Sequence, residues 1–277
     1  MPYNYLLDKK TRGSSLLSFK DAIVIFDEAH NVESSCYDAV SCEISLDDLI
    51  SSEKELQHCM ELIDSPHLFV EFGGISKDSI VAAQLFVSTL KGNLSAYEIP
   101  KGSNFLSLPG DAIFRVFEEH QQVNPESGKV EIDSMLGSFE DIVKFYLEDQ
   151  YNRRSGKRSA FQSLVSALRT IYGMSEESDG IDGTEDAATI YAKSNDKNQK
   201  RAELFAKSKA FYRMVITEPQ SAAFQGKQPV TSGRTMAYWC FNPGVVMKDL
   251  IAMGVRSIVL TSGTLSPMKS FMQEMQM

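Results

Sequence analysis

The sequence lacks the features that mark several common classes of protein. No apolar run in its 277 residues approaches the length of a membrane span, and the N-terminus has no basic-then-apolar signal pattern. The four cysteines show no Cys-x-x-Cys spacing, which predicts free thiols in a reducing compartment and disfavours metal or cluster ligation among them. Acidic residues outnumber basic ones, 37 to 28, so any contact with nucleic acid must be local.

The most informative stretch is an apolar run, Ala22 to Phe26, that ends in Asp27-Glu28-Ala29-His30. A run without alternation predicts a strand buried on both faces, as in a parallel sheet. Ligands of open α/β sheets lie beyond the carboxyl ends of such strands. There, one carboxylate can hold Mg²⁺ and the next can orient an attacking water. The alternative is that two acids and a histidine merely follow the strand in a loop.

A second α/β segment lies near the C-terminus. Thr235 to Phe241 and Arg256 to Leu260 are predicted strands, with a helix between them that starts at Asn242-Pro243 and ends at Gly254. The second strand runs into a polar loop, Thr261 to Pro267, and another helix is predicted to begin near Pro267.

The residues from about 45 to 215 are predicted to be mainly helical, and Ser45 with Asp48 forms a capping box at the start. A hydrophobic content of 43% supports one or two domains. Predicted helices follow Ser45 and Pro109 and cover Lys77–Tyr97, Ile132–Gln150, Ala160–Tyr172 and Asn198–Ile216. An acidic, Gly/Ser-rich loop is predicted from Ser175 to Thr189.

Two basic features interrupt this helical region. The first is a compact patch of Arg153, Arg154, Lys157 and Arg158. The second is the predicted helix Asn198–Ile216, in which basic residues alternate with aromatic ones: Lys200, Arg201, Lys207, Lys209 and Arg213 with Phe205, Phe211 and Tyr212. Such residues can follow a single strand of DNA by phosphate contact and base stacking. They are equally consistent with the solvated face of an ordinary helix.

The strand ending in Asp27-Glu28-Ala29-His30 resembles motif II, the Walker B element, of superfamily-2 helicases. Two strands that each end in a polar loop, separated by a long helical insert, resemble the iron–sulfur DNA helicases of the xeroderma pigmentosum group D type. Residues 1–8, 24–33 and 238–268 are most similar to the branch of that family that regulates telomere elongation.

The resemblance implies an α/β fold, an incomplete RecA-like (P-loop NTPase) motor domain interrupted by a mainly helical Arch insertion. Residues 1–44 and 233–277 would belong to the first motor domain and residues 45–232 to the Arch. Asp27 would bind the Mg²⁺ of ATP, Glu28 would activate the attacking water, and His30 would link nucleotide state to DNA contacts. Thr261-Ser262-Gly263-Thr264 matches motif III, which couples hydrolysis to strand movement.

Two departures from the family limit what this chain does alone. The sequence contains no Gly-x-x-x-x-Gly-Lys-Ser/Thr phosphate loop, and none of its cysteines occupies the motif that binds the 4Fe–4S cluster in the family. We therefore expect a fragment of a 5′–3′ DNA helicase that is inactive by itself. At family level the cofactors are ATP and Mg²⁺, and the partners are single-stranded or structured DNA and nuclear genome-maintenance proteins that contact the Arch. The expected location is the nucleus, without membrane contact.

Two other functions are consistent with the residues. The chain can be a non-catalytic Arch module that binds DNA or protein without turnover. It can also be an unrelated Mg²⁺-dependent hydrolase that uses Asp27 and Glu28, although this leaves the Thr261–Pro267 loop and the long helical insert unexplained.

Overall fold

The structure is a computed structural model that describes ten stretches of the chain: residues 2–8, 11–12, 18–63, 75–118, 130–152, 158–172, 206–207, 209–218, 233–264 and 268–275. It divides into two compact units. The first comprises Met1–Cys42, Tyr172–Arg213 and Tyr238–Met277, and the second comprises Glu43–Ile171 and Met214–Ala237.

The helices and strands follow one another in this order: α1 (Asn4–Leu7), β1 (Ile23–Phe26), a 3₁₀ turn (Ala29–Asn31), α2 (Val32–Val40), β2 (Cys42–Ser45), α3 (Leu46–Ile63), α4 (Lys77–Ala96), β3 (Phe105–Pro109), α5 (Ala112–Glu118), α6 (Val130–Asn152), α7 (Ala160–Tyr172), β4 (Tyr212–Thr217), β5 (Thr235–Cys240), α8 (Gly244–Ala252), β6 (Ser257–Leu260) and α9 (Met268–Met275).

The first unit contains a parallel pair of strands, β1 and β6, in a register that places Ile23 opposite Ser257 and Phe26 opposite Leu260. The prediction that β1 belongs to a parallel sheet is confirmed. The predicted burial of β1 on both faces is wrong: Val24 and Phe26 are buried, whereas Ile23 and Ile25 are 61% and 64% exposed. In the described part of the chain, the core of this unit lies on one face of the pair. Strand composition alone does not reveal how many layers cover a sheet.

The second unit is rich in helices whose ends have defined caps. The Ser45 hydroxyl accepts a hydrogen bond from the Asp48 N–H (3.0 Å) and donates to the Asp48 carboxylate (2.6 Å). At the next helix, Ser76 accepts from the Ser79 N–H (3.0 Å). These caps begin α3 and α4, as the sequence predicted for the first of them. Aromatic rings from α4, α6 and α7 then pack together, with Phe139 in contact with Phe86 and Phe161.

A four-stranded sheet with the order β2-β5-β4-β3 was only partly predicted. Its strand β5 was expected, but β2, β3 and β4 were not. The predicted helix Asn198–Ile216 is wrong over its last residues, because Tyr212–Thr217 is a strand. Tyr212, Met214, Val215 and Ile216 are all buried, so the segment shows no two-residue alternation that would mark a strand. The predicted Ser175–Thr189 loop lies outside the described residues.

None of the four cysteines forms a disulfide. Cys36, Cys59 and Cys240 are buried, and Cys42 is partly buried. Burial raises the pKa of Cys36 and of Cys59 to about 12.

No helix in the described part of the chain has the length and apolar character that crossing a membrane requires.

The carboxylate of Glu55, on α3, caps the start of α7. It accepts hydrogen bonds from the Ser159 hydroxyl (2.7 Å) and from the N–H groups of Ala160 (2.8 Å) and Phe161 (3.1 Å). Ser159 is 1% exposed, so little water can replace the carboxylate as the partner of its hydroxyl. An anion at a helix N-terminus also interacts favourably with the helix dipole.

We predict that Glu55→Ala loosens α7. Loss of a charged, partly buried acceptor costs about 2 kcal/mol, because the donors are left unsatisfied. Amide exchange across Ala160–Tyr172, followed by mass spectrometry, should accelerate by roughly 10- to 30-fold. Glu61→Ala, at an exposed position on the same helix, is the control for charge loss and should leave that exchange unchanged. Equal effects of the two variants would contradict the assigned cap.

Candidate functional site

The turn after β1 holds the two predicted carboxylates in an unusual backbone conformation. Asp27 and Glu28 follow the strand directly, and Glu28 has φ 52° and ψ 45°, in the left-handed region. A non-glycine residue there costs about 1 kcal/mol, and such residues cluster at functional sites. The 3₁₀ turn Ala29–Asn31 follows at once and carries His30. The strained residue, Glu28, thus lies between Asp27 and the turn that carries His30.

One oxygen of the Asp27 carboxylate is fixed from two sides. Its Oδ1 accepts hydrogen bonds from the Glu28 N–H (3.0 Å) and from the Thr261 hydroxyl (3.0 Å). No hydrogen bond occupies Oδ2 among the described residues, and the side chain is exposed. Asp27 therefore presents an oriented carboxylate oxygen at the carboxyl end of β1.

The loop after β6 lies against this turn through backbone hydrogen bonds. The Thr261 N–H donates to the Phe26 carbonyl (2.9 Å), and the Ala29 N–H donates to the Thr261 carbonyl (2.9 Å). These bonds continue the parallel ladder beyond the last strand residues. Thr261 consequently contacts Phe26 and Ala29 with its backbone and Asp27 with its hydroxyl.

His30 joins the same loop. Its Nδ1 lies 2.9 Å from the Ser262 hydroxyl and 3.3 Å from a Glu28 carboxylate oxygen. The Ser262 hydroxyl in turn accepts from the Thr264 N–H (3.3 Å). A chain of polar contacts therefore runs from Glu28 through His30 and Ser262 to Thr264. Gly263 lies within this turn and has open space around its α-carbon.

Tyr3 completes the site, and sequence reasoning did not identify it as a site residue. Its hydroxyl donates to the Asp27 carbonyl and lies 3.1 Å from the Glu28 carbonyl, while its ring meets Phe26 edge-on at 5.7 Å. Desolvation, and then the negative charges of Asp27 and Glu28, raise the pKa of Tyr3 above its usual value. A tyrosine 24 residues before its partner leaves no local signal in the sequence.

The predicted DNA-contact residues are distant along the sequence from the turn that carries Asp27. Arg158 is exposed immediately before α7, in the second unit. The remaining candidates lie outside the described residues: Arg153, Arg154, Lys157, Lys200 and Arg201.

The carboxylate at this site suits a metal ion that binds few protein side chains. Among the residues that the structure describes, no three His, Cys, Asp or Glu side chains are grouped to hold a metal ion by themselves. Magnesium is commonly bound by one or two carboxylates together with the phosphates of a nucleotide. The oriented Asp27 carboxylate fits that requirement.

Comparison with known proteins identifies the family. A family model described as DEAD_2 matches residues 1–49, and one described as "RTEL1 helicase, ARCH domain" matches residues 52–243. The chain belongs to the RTEL1 helicase family. The similarity noted in the sequence is thereby confirmed at the level of this family.

Individual RTEL1 relatives align along the whole chain. Regulator of telomere elongation helicase 1 of Homo sapiens is 30% identical over 293 residues, and that of Bos taurus is 28% identical over 291 residues. Each alignment covers 100% of this chain but 22% of the relative, so the chain spans about a fifth of their length. A solved structure titled XPD helicase aligns with 99% of this chain and 33% of its own, at 11% identity and a TM-score of 0.45.

We predict that Tyr3→Phe destabilises the first unit by about 1 kcal/mol, because two backbone carbonyls lose a common donor. The measurement is amide exchange of peptides spanning residues 22–32, compared with that of α7 as an internal reference. Tyr5→Phe is the matched control, since Tyr5 is 42% exposed and its hydroxyl forms no hydrogen bond within the described part of the chain. If both substitutions change exchange equally, Tyr3 does not anchor the turn.

Proposed function

We propose that the chain carries part of the ATP site of a 5′–3′ DNA helicase that acts in telomere maintenance and in DNA repair and recombination. The observation that supports this most directly is the hydrogen bond from Thr261 to Asp27, which joins the ends of two adjacent parallel strands. In α/β sheets this edge is where nucleotide phosphates bind. Membership in a helicase family is consistent with that chemistry.

In this proposal Asp27 holds the Mg²⁺ that accompanies ATP. The ion would neutralise charge that develops on the phosphates during transfer. Two donors already fix Oδ1, so the carboxylate needs no reorganisation when the nucleotide arrives. Preorganised groups of this kind are effective because they are oriented before the reaction begins.

Glu28 is assigned to orient the attacking water and accept its proton. Its backbone is left-handed, and its carboxylate lies 3.3 Å from the Nδ1 atom of His30. His30 and the Thr261–Thr264 loop would then report the state of the nucleotide to the DNA-contacting parts of the motor. The His30–Ser262 contact is the physical connection between the two segments.

The domain assignment belongs to the same proposal. Residues 1–44 and 233–277 form an incomplete RecA-like motor domain, and residues 45–232 form the Arch. Arg153, Arg154, Lys157, Arg158, Lys200 and Arg201 remain candidates for DNA contact, and the Arch for contact with nuclear genome-maintenance proteins. The proposed location is the nucleus. The 4Fe–4S cluster belongs to the family, and no ligand motif for it is present in these 277 residues.

A second function is supported by the extent of the Arch match. The Arch model covers residues 52–243, most of the chain, whereas no phosphate loop occurs in the sequence. The chain by itself would then be a non-catalytic module that binds DNA or protein.

We predict that the purified 277-residue chain does not hydrolyse ATP, with or without single-stranded DNA. The backbone cradle and lysine that hold the phosphates are absent from its sequence. Phosphate release in the presence of MgATP is the measurement. DNA-stimulated release that Glu28→Gln abolishes would contradict the expected inactivity.

The roles of the two acids require a complete motor. We predict that the human relative remains an ATP-dependent helicase when this chain replaces its aligned segment. In that chimera Glu28→Gln should lower kcat by about 100-fold or more with nucleotide binding retained, the usual effect of losing a catalytic base. Asp27→Asn should instead weaken binding of MgATP.

Asp38→Asn provides the matched control for these substitutions, because Asp38 is an exposed acid on the neighbouring helix α2. It should leave kcat and nucleotide affinity unchanged. A chimera that unwinds DNA equally well with Glu28→Gln would refute the assignment of the water-positioning role.

A further inference from the structure

One face of helix α4, in the second unit, carries large apolar side chains that are exposed. Leu85 is 66% exposed and Val81, one helical turn before it, is 51% exposed. Exposed smaller residues complete the face: Ala82, Ser88, Gly92 and Ala96. We call these six uncharged residues the Leu85 face. Apolar side chains that are exposed beside one another commonly mark an interaction site.

The contacts of α4 with its neighbours determine the direction of this face. Gln84 and Lys91 form side-chain contacts with α3. Phe86 and Asn93 contact α5. Because successive residues of a helix are about 100° apart around its axis, Leu85 lies between these two sets of contacts and points away from both helices.

The order of large and small residues along the Leu85 face is complementary to itself. The spacing of four, three and four residues from Val81 to Gly92 is that at which two helices pack side by side. If a second α4 runs in the opposite direction, with the two-fold axis just after Ser88, Leu85 of one copy lies opposite Gly92 of the other. Val81 then lies opposite Ala96. A β-carbon added at Gly92 would meet no atom within 4 Å, so the space beside this glycine is open to a side chain from another molecule.

The charges at the two ends of α4 suit the same arrangement. Lys77 and Asp78 begin the helix, Glu98 and Lys101 follow its end, and all four are exposed. Antiparallel pairing brings the first two residues of one copy close to the last two of the other, so each end of the contact holds charges of both signs. The contact thereby avoids like-charge repulsion, although each chain carries a net charge of −9.

We propose that the Leu85 face binds a second copy of this chain through antiparallel contact between the two α4 helices. Each helix has 20 residues, and one helix pair buries less surface than the roughly 1,600 Å² of a standard interface. The dimer is therefore weak and forms at micromolar protein concentrations. This association does not depend on the helicase function proposed above.

Sedimentation equilibrium of the purified chain across the micromolar range is the first measurement, and it should show a reversible equilibrium between monomer and dimer. Leu85→Glu should weaken dimerisation by about 100-fold or more, because each dimer loses two buried leucines. Tyr151→Glu is the matched control, since Tyr151 is 83% exposed on α6, and it should leave the equilibrium unchanged. Circular dichroism verifies that each variant is folded.

Exchanging the large and the small residue tests the antiparallel pairing itself. Gly92→Leu should prevent dimerisation, because two leucines then compete for one space. Adding Leu85→Ala to that variant should restore the dimer, since a large side chain again lies opposite a small one. Gly137→Leu, at an exposed glycine of α6 with equally open space, is the control and should not change the association.

Three outcomes would overturn the assignment. A chain that stays monomeric throughout the micromolar range would leave the Leu85 face to a different protein. A dimer that survives Leu85→Glu would form through another surface. Association that Gly92→Leu strengthens would reveal non-specific apolar contact in place of antiparallel pairing.

Discussion

The parallel pairing of β1 with β6 is the constraint on which the candidate site depends. It joins segments 234 residues apart and aligns their carboxyl ends, so that Asp27 and Thr261 come within hydrogen-bonding distance. Neither segment makes a site alone. Asp27 and Glu28 supply negative charge. The loop after β6 supplies two hydroxyls, that of Thr261, which contacts the Asp27 carboxylate, and that of Ser262, which contacts the His30 imidazole. A small shift in this register would separate these groups, because each additional residue along a strand moves a side chain by about 3.3 Å.

The site also illustrates how strain and order coexist. Glu28 has a left-handed backbone, yet the turn around it is held by Tyr3, Thr261 and the carbonyl of Phe26. A strained residue persists where surrounding contacts determine its conformation. The backbone of Glu28 is thereby held in place before any ligand binds.

How much could be predicted from sequence depended on the range of the interactions involved. Asp27, Glu28 and His30 were predicted as a group, because one strand end carries all three. The caps at Ser45 and most helix positions followed from local patterns. Tyr3 was missed since its partners are distant in sequence, and β4 was mistaken for helix because Tyr212 to Ile216 shows no two-residue alternation. The exposed face of β1 was missed because β-branched composition reports strand propensity and not the number of covering layers.

The separation of β1 from β6 has a consequence for synthesis of the chain. At about 5 to 20 residues per second, a ribosome completes Thr261 roughly 10 to 50 seconds after Asp27. During that interval Ile23 to Phe26 has no β6 partner, and the segment is short, apolar and rich in β-branched residues. Such strands are prone to pair with other chains. The nascent strand therefore needs protection until the roughly 230 residues that separate it from β6 have been synthesised.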